Sequence, residues 1–362
     1  MQAIELIGEH VIATVAKMIG LLEVHRMPVR ALLGVFSVVA LSSCGADSQG
    51  PDDGAEVDAW HMAMLDVPTP GAGCHEVLHP SMEWREVECA DARITASAPS
   101  GARGDGARLA RVAQVGGGND WVVSLSGGTL STVTGSFDDV AGVTSVIDDG
   151  IANSFSLQLN SNFFESSRCS SGGPSCRAWQ QIVYSSDQGA AEMNQAEIGK
   201  GGLLYFQYWL LYDDAPCPSG TKTVAQGGCV VNSADQVPVP AQSAASLGEM
   251  HLTGSAGDTD QAILRIGKTL YSVTAPGSNV GLASGWTEAE FNIFGNGSAG
   301  QASFNSGASV DVKLTVQGFS GGTLACKRGG TTKETNNLDL DGECRQLPDQ
   351  TNPTFVFTQT NT

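Results

Sequence analysis

Two histidines and a glutamate stand at the HExxH spacing that can hold zinc, in the segment His75-Glu76-Val77-Leu78-His79. On a helix this spacing places two imidazoles on one face for Zn²⁺, and the glutamate activates the metal-bound water. Here Cys74 precedes the motif and Pro80 follows it, and a proline disfavours helical backbone at the residue before it. We therefore predict a disulfide-pinned surface loop, and zinc at His75 and His79 is not expected.

A second group of polar residues interrupts strand-like apolar runs. Gln180 and Gln181 lie in WQQIVY, Gln207 lies in FQYW, and Glu290 lies in AEF. Carboxamides and carboxylates cost free energy in such places unless they are hydrogen-bonded or used. These residues are therefore candidates for a functional site.

The order of these segments resembles the eqolisins, which are glutamic peptidases with a concanavalin-like β-sandwich fold. In that family a strand with the catalytic glutamine precedes an aromatic strand, and a later Ala-Glu-Trp strand carries the catalytic glutamate. The resemblance covers about residues 121–318 and implies that Glu290 is a general base acting on water. It also implies that Gln180 or Gln181 orients this water and stabilises the oxyanion. Gln207 stands where the family has an aspartate.

A binding module is the alternative to a peptidase. When LLYFQYWLLY is read as a strand, one face is apolar and the other carries Tyr205, Gln207 and Trp209. This pattern fits the centre of a concave ligand-binding sheet, a strand buried on both faces, or a helix. Together with Asn292 and Glu290, the mixed face predicts a lectin-like surface that binds a glycan or similar polymer. A purely structural or adhesive module is the third hypothesis.

Other residues offer little further chemistry. Asp258-Thr259-Asp260 and residues 339–343 are short acidic turns whose oxygens could hold Ca²⁺, although solvated turns are the preferred interpretation. The sequence contains no GxSxG, and His251 stands alone as a candidate base. We expect no cofactor and no metal.

The elements that must position these residues are short strands. After Trp121 the chain has alternating runs separated by Gly, Asn, Asp and Ser, which is typical of a sandwich or barrel. The eqolisin resemblance implies an all-β, concanavalin-like jelly-roll of antiparallel strands. Alternation predicts these inward-facing residues: Phe155, Leu157, Leu159, Phe291, Ile293, Val310, Val312, Leu314 and Val316.

Cysteine usage indicates export. Of 9 cysteines, Cys44 ends the segment Leu41-Ser42-Ser43-Cys44, which resembles a bacterial lipobox and implies lipidation of its thiol. The even number that remains suggests disulfides, each pinning a loop. Clustering along the chain favours pairs of close neighbours: Cys74 with Cys89, Cys169 with Cys176, Cys217 with Cys229, and Cys326 with Cys344.

The segment before Cys44 predicts a secretory signal, because residues 27–44 carry one Arg, a short apolar stretch and then small residues. Met27 is the expected start. We predict four regions: a leader and signal at 1–43, a flexible acidic tether at 44–66, a small Cys-bounded unit with a Gly/Ala-rich connector at 67–118, and a β-sandwich at 119–362. Gly45, rather than aspartate, follows Cys44, and resemblance to enterobacterial lipoprotein sorting implies the outer membrane. The protein is therefore expected to be exported and held at a membrane by lipid alone.

The net charge of −19 excludes a nucleic-acid partner, because phosphates repel such a surface. The ligand expected from the peptidase and lectin-like hypotheses is a polypeptide or a glycan. Several blocks, among them QLNSNFF, FNSG and ETNNL, also resemble those of exported bacterial proteins that have no assigned activity. That resemblance implies export and adds no chemistry.

Overall fold

The structure is a computed structural model that describes residues 53–90, 119–171, 176–187, 189, 198–211, 217–224, 228–296, 301–329 and 335–362. The predicted leader and Cys44 lie outside these residues. The described elements begin with helix α1 (Asp53–Met64) and continue with short 3-10 turns at Ser167–Ser171, Ala244–Glu249, Gly277–Asn279 and Leu282–Ser284.

The strands in chain order are β1 (Cys74–Leu78), β2 (Arg85–Val87), β3 (Trp121–Ser126), β4 (Leu130–Ala141), β5 (Val146–Asp148), β6 (Ile151–Ala152), β7 (Ser156–Ser161), β8 (Arg177–Ser185), β9 (Gly202–Leu211), β10 (Lys222–Val224), β11 (Gly228–Asn232), β12 (Val237–Val239), β13 (Met250–Ser255), β14 (Thr259–Ile266), β15 (Thr269–Pro276), β16 (Glu288–Phe294), β17 (Gln301–Phe304), β18 (Ala308–Phe319), β19 (Thr323–Arg328), β20 (Thr335–Asn336), β21 (Asp339–Gln346) and β22 (Thr354–Asn361).

Two large antiparallel sheets build the fold. The first sheet has the order β2-β1-β15-β14-β13-β4-β18-β22-β21. The second has the order β10-β11-β9-β8-β7-β16-β3-β19, and β12 also pairs with β9. A small sheet of order β20-β17-β5-β6 accompanies them. The predicted all-β class is confirmed, and the architecture is an antiparallel sandwich compatible with a concanavalin-like fold.

The core fills the space between the two sheets. In β18 buried and partly buried residues alternate along the strand, as expected when one face packs inward. Every residue that alternation predicted to face inward is buried in one continuous apolar cluster. Two glycines mark the closest approach of the sheets. A Cβ on Gly135 would lie 2.0 Å from the Phe291 ring, and one on Gly254 would lie 2.2 Å from Ile182 Cδ1.

Strand β9 is buried at every residue. Of the three interpretations of LLYFQYWLLY, the structure therefore confirms the strand that is buried on both faces. Phe206 and Tyr208 belong to the core between the sheets, while Trp209 and Tyr205 belong to two separate apolar clusters on the opposite face. The outer face of the second sheet is therefore also covered.

All four predicted disulfide pairs are present, namely Cys74–Cys89, Cys169–Cys176, Cys217–Cys229 and Cys326–Cys344. The first three close loops. The fourth does more than the expected loop closure, because Cys326 lies on β19 and Cys344 on β21. These are the edge strands of the second and first sheets, so this bridge also joins the two layers.

Part of the predicted tether is a packed helix. Helix α1 directs Val57, Trp60 and Met64 against the outer face of the first sheet, where they contact Ile263 and Leu270. These helix residues recur at helical spacing, a signal that the small and acidic composition around them obscured. The predicted small unit at 67–118 likewise contributes β1 and β2 to the first sheet, where β1 pairs with β15.

Candidate functional site

Five polar side chains form a continuous row across the outer face of the second sheet. We call this row the amide ladder; its members are Glu290 on β16, Asn160 on β7, Gln181 on β8, Gln207 on β9 and Asn232 on β11. Each is the direct cross-strand partner of the next. Strand register thus brings together residues that lie far apart in the sequence.

Hydrogen bonds run along the whole ladder. Asn160 Nδ2 donates to Glu290 Oε2 at 2.8 Å, and Gln181 Nε2 donates to Asn160 Oδ1 at 3.1 Å. At the other end, Gln207 Nε2 donates to Asn232 Oδ1 at 3.0 Å. Asn160 therefore stands between the carboxylate and the nearest glutamine, in the position that a shared water would need.

Trp209 joins the two halves of the ladder. Its Nε1 donates to Gln181 Oε1 at 2.8 Å and to Gln207 Oε1 at 2.9 Å. The Trp209 ring lies 6.0 Å from that of Trp179, centroid to centroid, in a tilted arrangement. The indole thus satisfies two carboxamide oxygens and packs against a second aromatic residue.

The structure places the predicted site residues Glu290, Gln181, Gln207, Trp209, Tyr205 and Asn292 on this same face. All of them are buried, from 0% exposure for Glu290, Trp209 and Asn292 to 6% for Gln207. Asn292 Oδ1 accepts from Asn336 Nδ2 at 3.2 Å. The amide ladder is therefore a closed, mutually hydrogen-bonded surface.

Gln180 faces the other way, into the core. Its Nε2 donates to Asp260 Oδ2 at 3.1 Å, and the second carboxylate oxygen accepts from the Gly257 N–H at 3.2 Å. Burial raises the pKa of Asp260, and these two hydrogen bonds oppose that shift. Of the two predicted glutamines, only Gln181 is on the face of Glu290.

The HExxH segment is a strand and not a helix or a loop. His75 lies on β1 with its side chain buried, and burial lowers its pKa. His79 lies beyond the end of β1, where its Nε2 is 3.6 Å from Glu56 Oε1 and its ring meets Trp60 edge-on. In a strand, unlike a helix, residues four apart are spaced by about 13 Å of backbone, so the segment lacks the helical geometry that the zinc motif requires.

The two acidic turns proposed for calcium differ from each other. Asp260 is held in the core by the contacts above, whereas Asp339 and Asp341 are exposed on the edge strand β21. Across the residues that the structure describes, no group of three or more His, Cys, Asp or Glu side chains is arranged to hold a metal ion.

A second polar surface, which the sequence analysis missed, lies on the outer face of the first sheet. We call it the outer groove; its volume is about 510 Å³. Its floor is formed by Thr134, Ser136, His251, Lys313, Thr315, Gln317 and Thr354; its walls are formed by Asp58, His61 and Met62 of α1 and by Leu347, Gln350, Thr351 and Asn352 of the loop between β21 and β22, with Asp138 at the side.

Hydroxyl and amide groups line the floor of the outer groove. Gln317 Nε2 donates to Thr134 Oγ1 at 2.7 Å, and Thr315 Oγ1 lies 3.2 Å from Thr354 Oγ1. Two buried atoms of groove-lining residues have no hydrogen-bond partner among the described residues: Gln317 Oε1 and His61 Nε2. Thr315, Gln350 and Asn352 are partly or fully exposed at the groove, whereas every member of the ladder is buried.

Two histidines hold α1 at the edge of the groove. The rings of His61 and His251 meet edge-on with centroids 5.4 Å apart. Arg265 donates to His251 Nε2 and to Asp58. Burial lowers the pKa of His61 to about 3, with Arg265 adding to the shift and Asp58 opposing it. Burial and then Arg265 also hold the pKa of His251 well below its usual value.

The fold and these surfaces define the class as a disulfide-pinned, antiparallel β-sandwich. Comparison with protein-family models and with curated proteins found no match to the chain. Within the part of the chain described by the structure, no helix has both the length and the apolar character needed to cross a bilayer.

Proposed function

We propose that the protein is an exported surface module, lipid-anchored through Cys44 at the outer membrane, that binds a polymer in the outer groove without catalysis. The lipobox-like segment before Cys44 supports the anchor. Four disulfides support an oxidising compartment, since such bonds persist outside the cytosol. The sandwich supports a concanavalin-like jelly-roll, a common scaffold for recognition surfaces.

The outer groove is the observation that carries this proposal. Its volume of about 510 Å³ lies in the range of ligand sites. A rigid sheet forms its floor, and a helix and a loop form its walls, so the site needs no rearrangement to admit a ligand. The polar side chains of Thr315, Gln350 and Asn352 are partly or fully exposed at the groove, so they are able to hydrogen-bond a ligand.

Binding of cell-surface polymers to the purified protein tests the proposal. The decisive variant is Thr315→Trp, which raises an indole from the groove floor. Its matched control is Thr132→Trp, because Thr132 is partly exposed on the same outer face of β4 but does not line the groove. We expect Thr315→Trp to abolish binding and Thr132→Trp to preserve it. Equal binding by both variants would exclude the groove.

A glutamic-peptidase-like hydrolase is the second candidate, and the amide ladder is the observation that favours it. Glu290 is fully buried, and one of its carboxyl oxygens accepts a hydrogen bond from Asn160. Gln181 is the next member of the amide ladder after Asn160. Buried carboxylates of this kind concentrate at catalytic sites. In this reading Glu290 is the base, and Gln181 acts once the substrate has displaced Asn160 from between them.

Hydrolysis of a denatured protein at acidic pH tests the second candidate. A peptidase would lose its activity in Glu290→Gln and keep it in Glu288→Gln, since Glu288 lies on the same strand face but pairs with Lys327 at 2.9 Å. Our proposal predicts no hydrolysis by the unaltered protein. Activity that depends on Glu290 would replace the binding proposal with the catalytic one.

A further inference from the structure

The backbone under the outer groove is already fully used. Strands β13, β4, β18 and β22 form its floor, and each has a neighbour on both sides in the first sheet. An extended peptide binds a sheet by pairing with an exposed edge, and no such edge is present in the floor. Recognition in the groove must therefore depend on side chains.

Each charged side chain that lines the groove has an ion-pair partner. Lys313 Nζ lies 2.8 Å from Asp138 Oδ1, and Asp58 pairs with Arg265. The two histidines are neutral near pH 7, because burial lowers both of their pKa values. The groove consequently offers no uncompensated charge to attract an ionic ligand.

The remaining groups suit hydroxyls. The floor and walls present the hydroxyls of Ser136, Thr315 and Thr354 and the carboxamides of Gln350 and Asn352. Hydroxyls and amides both donate and accept, which matches a ligand whose groups also do both. The Gln317 Oε1 atom is buried below the floor, so the accessible groups that a ligand would meet are those of Thr315, Gln350 and Asn352.

We infer that the outer groove binds a neutral, polyhydroxylated ligand, namely an uncharged oligosaccharide segment of a surface polymer. This inference rests on the proposed binding function and adds the chemical class of the ligand. Ligand hydroxyls exchange hydrogen bonds with the Thr315 hydroxyl on the floor and with the carboxamides of Gln350 and Asn352 on the loop wall.

Imidazole NMR signals report directly on this site, because His61 and His251 both line the groove. The probes are concentrated glucose, mannose, galactose and N-acetylglucosamine with their short oligomers, compared with glucuronate, sulfated oligosaccharides and a neutral peptide. We expect neutral sugars to shift the His61 and His251 signals, with binding unchanged between low and high salt, as expected for an uncharged contact.

The variant Thr315→Val is expected to weaken neutral-sugar binding about three- to tenfold, because it removes a partly exposed hydroxyl from the groove floor. Thr132→Val is the matched control, since Thr132 is also partly exposed on the same sheet face, lies 3.3 Å from Ser255 Oγ through its own Oγ1 and does not line the groove. Equal sugar affinity in both variants would overturn the assignment of the floor hydroxyl and with it the inference.

The outcomes separate the ligand class from the function. Shifts produced only by the charged sugars, and suppressed by salt, would overturn the neutral class and leave groove binding intact. Shifts produced only by the peptide would do the same in favour of a polypeptide ligand. If no probe shifts either histidine and Thr315→Trp leaves polymer binding unchanged, both the inference and the proposed function are wrong.

Discussion

The amide ladder and the outer groove are both rows of polar side chains on the outer face of a sheet, but they differ in what their polar atoms contact. In the ladder, Asn160 and Trp209 use the capacity of their neighbours, and every member is buried. In the groove, Thr315, Gln350 and Asn352 are partly or fully exposed beside a cavity of about 510 Å³.

This difference shows that a polar residue inside an apolar strand does not identify a binding site by itself. The cost of burying a carboxamide is met equally well by a neighbouring carboxamide or by a ligand. In the ladder, neighbouring carboxamides hydrogen-bond one another and so stabilise the centre of the sheet. What distinguishes the groove is the hydrogen-bonding capacity that remains after the protein's own contacts are counted.

The largest expected effect comes from cutting the ladder. Asn160→Leu removes the amide that donates to Glu290 Oε2 and accepts from Gln181 Nε2. We expect a loss of about 2 to 3 kcal/mol of unfolding free energy, because a buried polar group that loses its hydrogen-bond partner costs about 1 to 3 kcal/mol. Urea denaturation measures this change. A loss below about 1 kcal/mol would show that the ladder is not a structural network.

The second effect concerns pH and the wall of the groove. Because the folded-state pKa of His61 is about 3, against an unfolded value of 6.5, the unfolded chain binds the proton more readily between these values. The contribution of neutral His61 to the free energy of unfolding is complete above pH 6.5 and decreases as the pH falls. At pH 5 we expect the free energy of unfolding to be lower by about 2 kcal/mol from this group.

Urea midpoints at several pH values test this dependence, with His61→Gln as the variant that lacks the titrating group. The slope of stability against pH should be smaller in His61→Gln than in the unaltered protein. Its remaining slope should come partly from His251, whose pKa is also lowered. Identical slopes in the two proteins would contradict the burial of His61, which is itself a residue of α1.

The smallest stability effect is expected at the groove floor. Thr315→Ala removes a partly buried hydroxyl whose partner, Thr354, still faces the groove. We expect a change within about 0.5 kcal/mol in urea denaturation, as for surface positions. The contrast with Asn160→Leu sharpens the comparison, since one surface contributes to stability and the other is available for binding. A large loss in Thr315→Ala would remove that distinction.

Much of the fold followed from local patterns. Alternation placed Val310 and Phe291 inward because a strand has a period of two, and clustering paired the cysteines because short loops close easily. The helix Asp53–Met64 was missed, since its apolar stripe of Val57, Trp60 and Met64 lies among small and acidic residues.

The candidate sites were only partly predictable. The resemblance to the eqolisins grouped Glu290 with Gln180 or Gln181, and of these Gln181 lies on the face of Glu290. The position of Asn160 between Glu290 and Gln181 depends on the register of β7 with its neighbours, which no local pattern specifies. The groove was missed because its floor residues Thr315 and Gln317 were read only as the outward half of a core strand. Its helix and loop walls come from distant parts of the chain.

Hydrogen–deuterium exchange with a saturating neutral oligosaccharide tests the central claim most directly, since it compares the two surfaces in one experiment. We predict slower exchange in helix α1 and at residues 347–352, which form the walls of the outer groove. Strands β7, β8, β9 and β16 should exchange as before. Protection confined to those four strands, with none at the groove walls, would contradict the account and assign the ligand to the amide ladder.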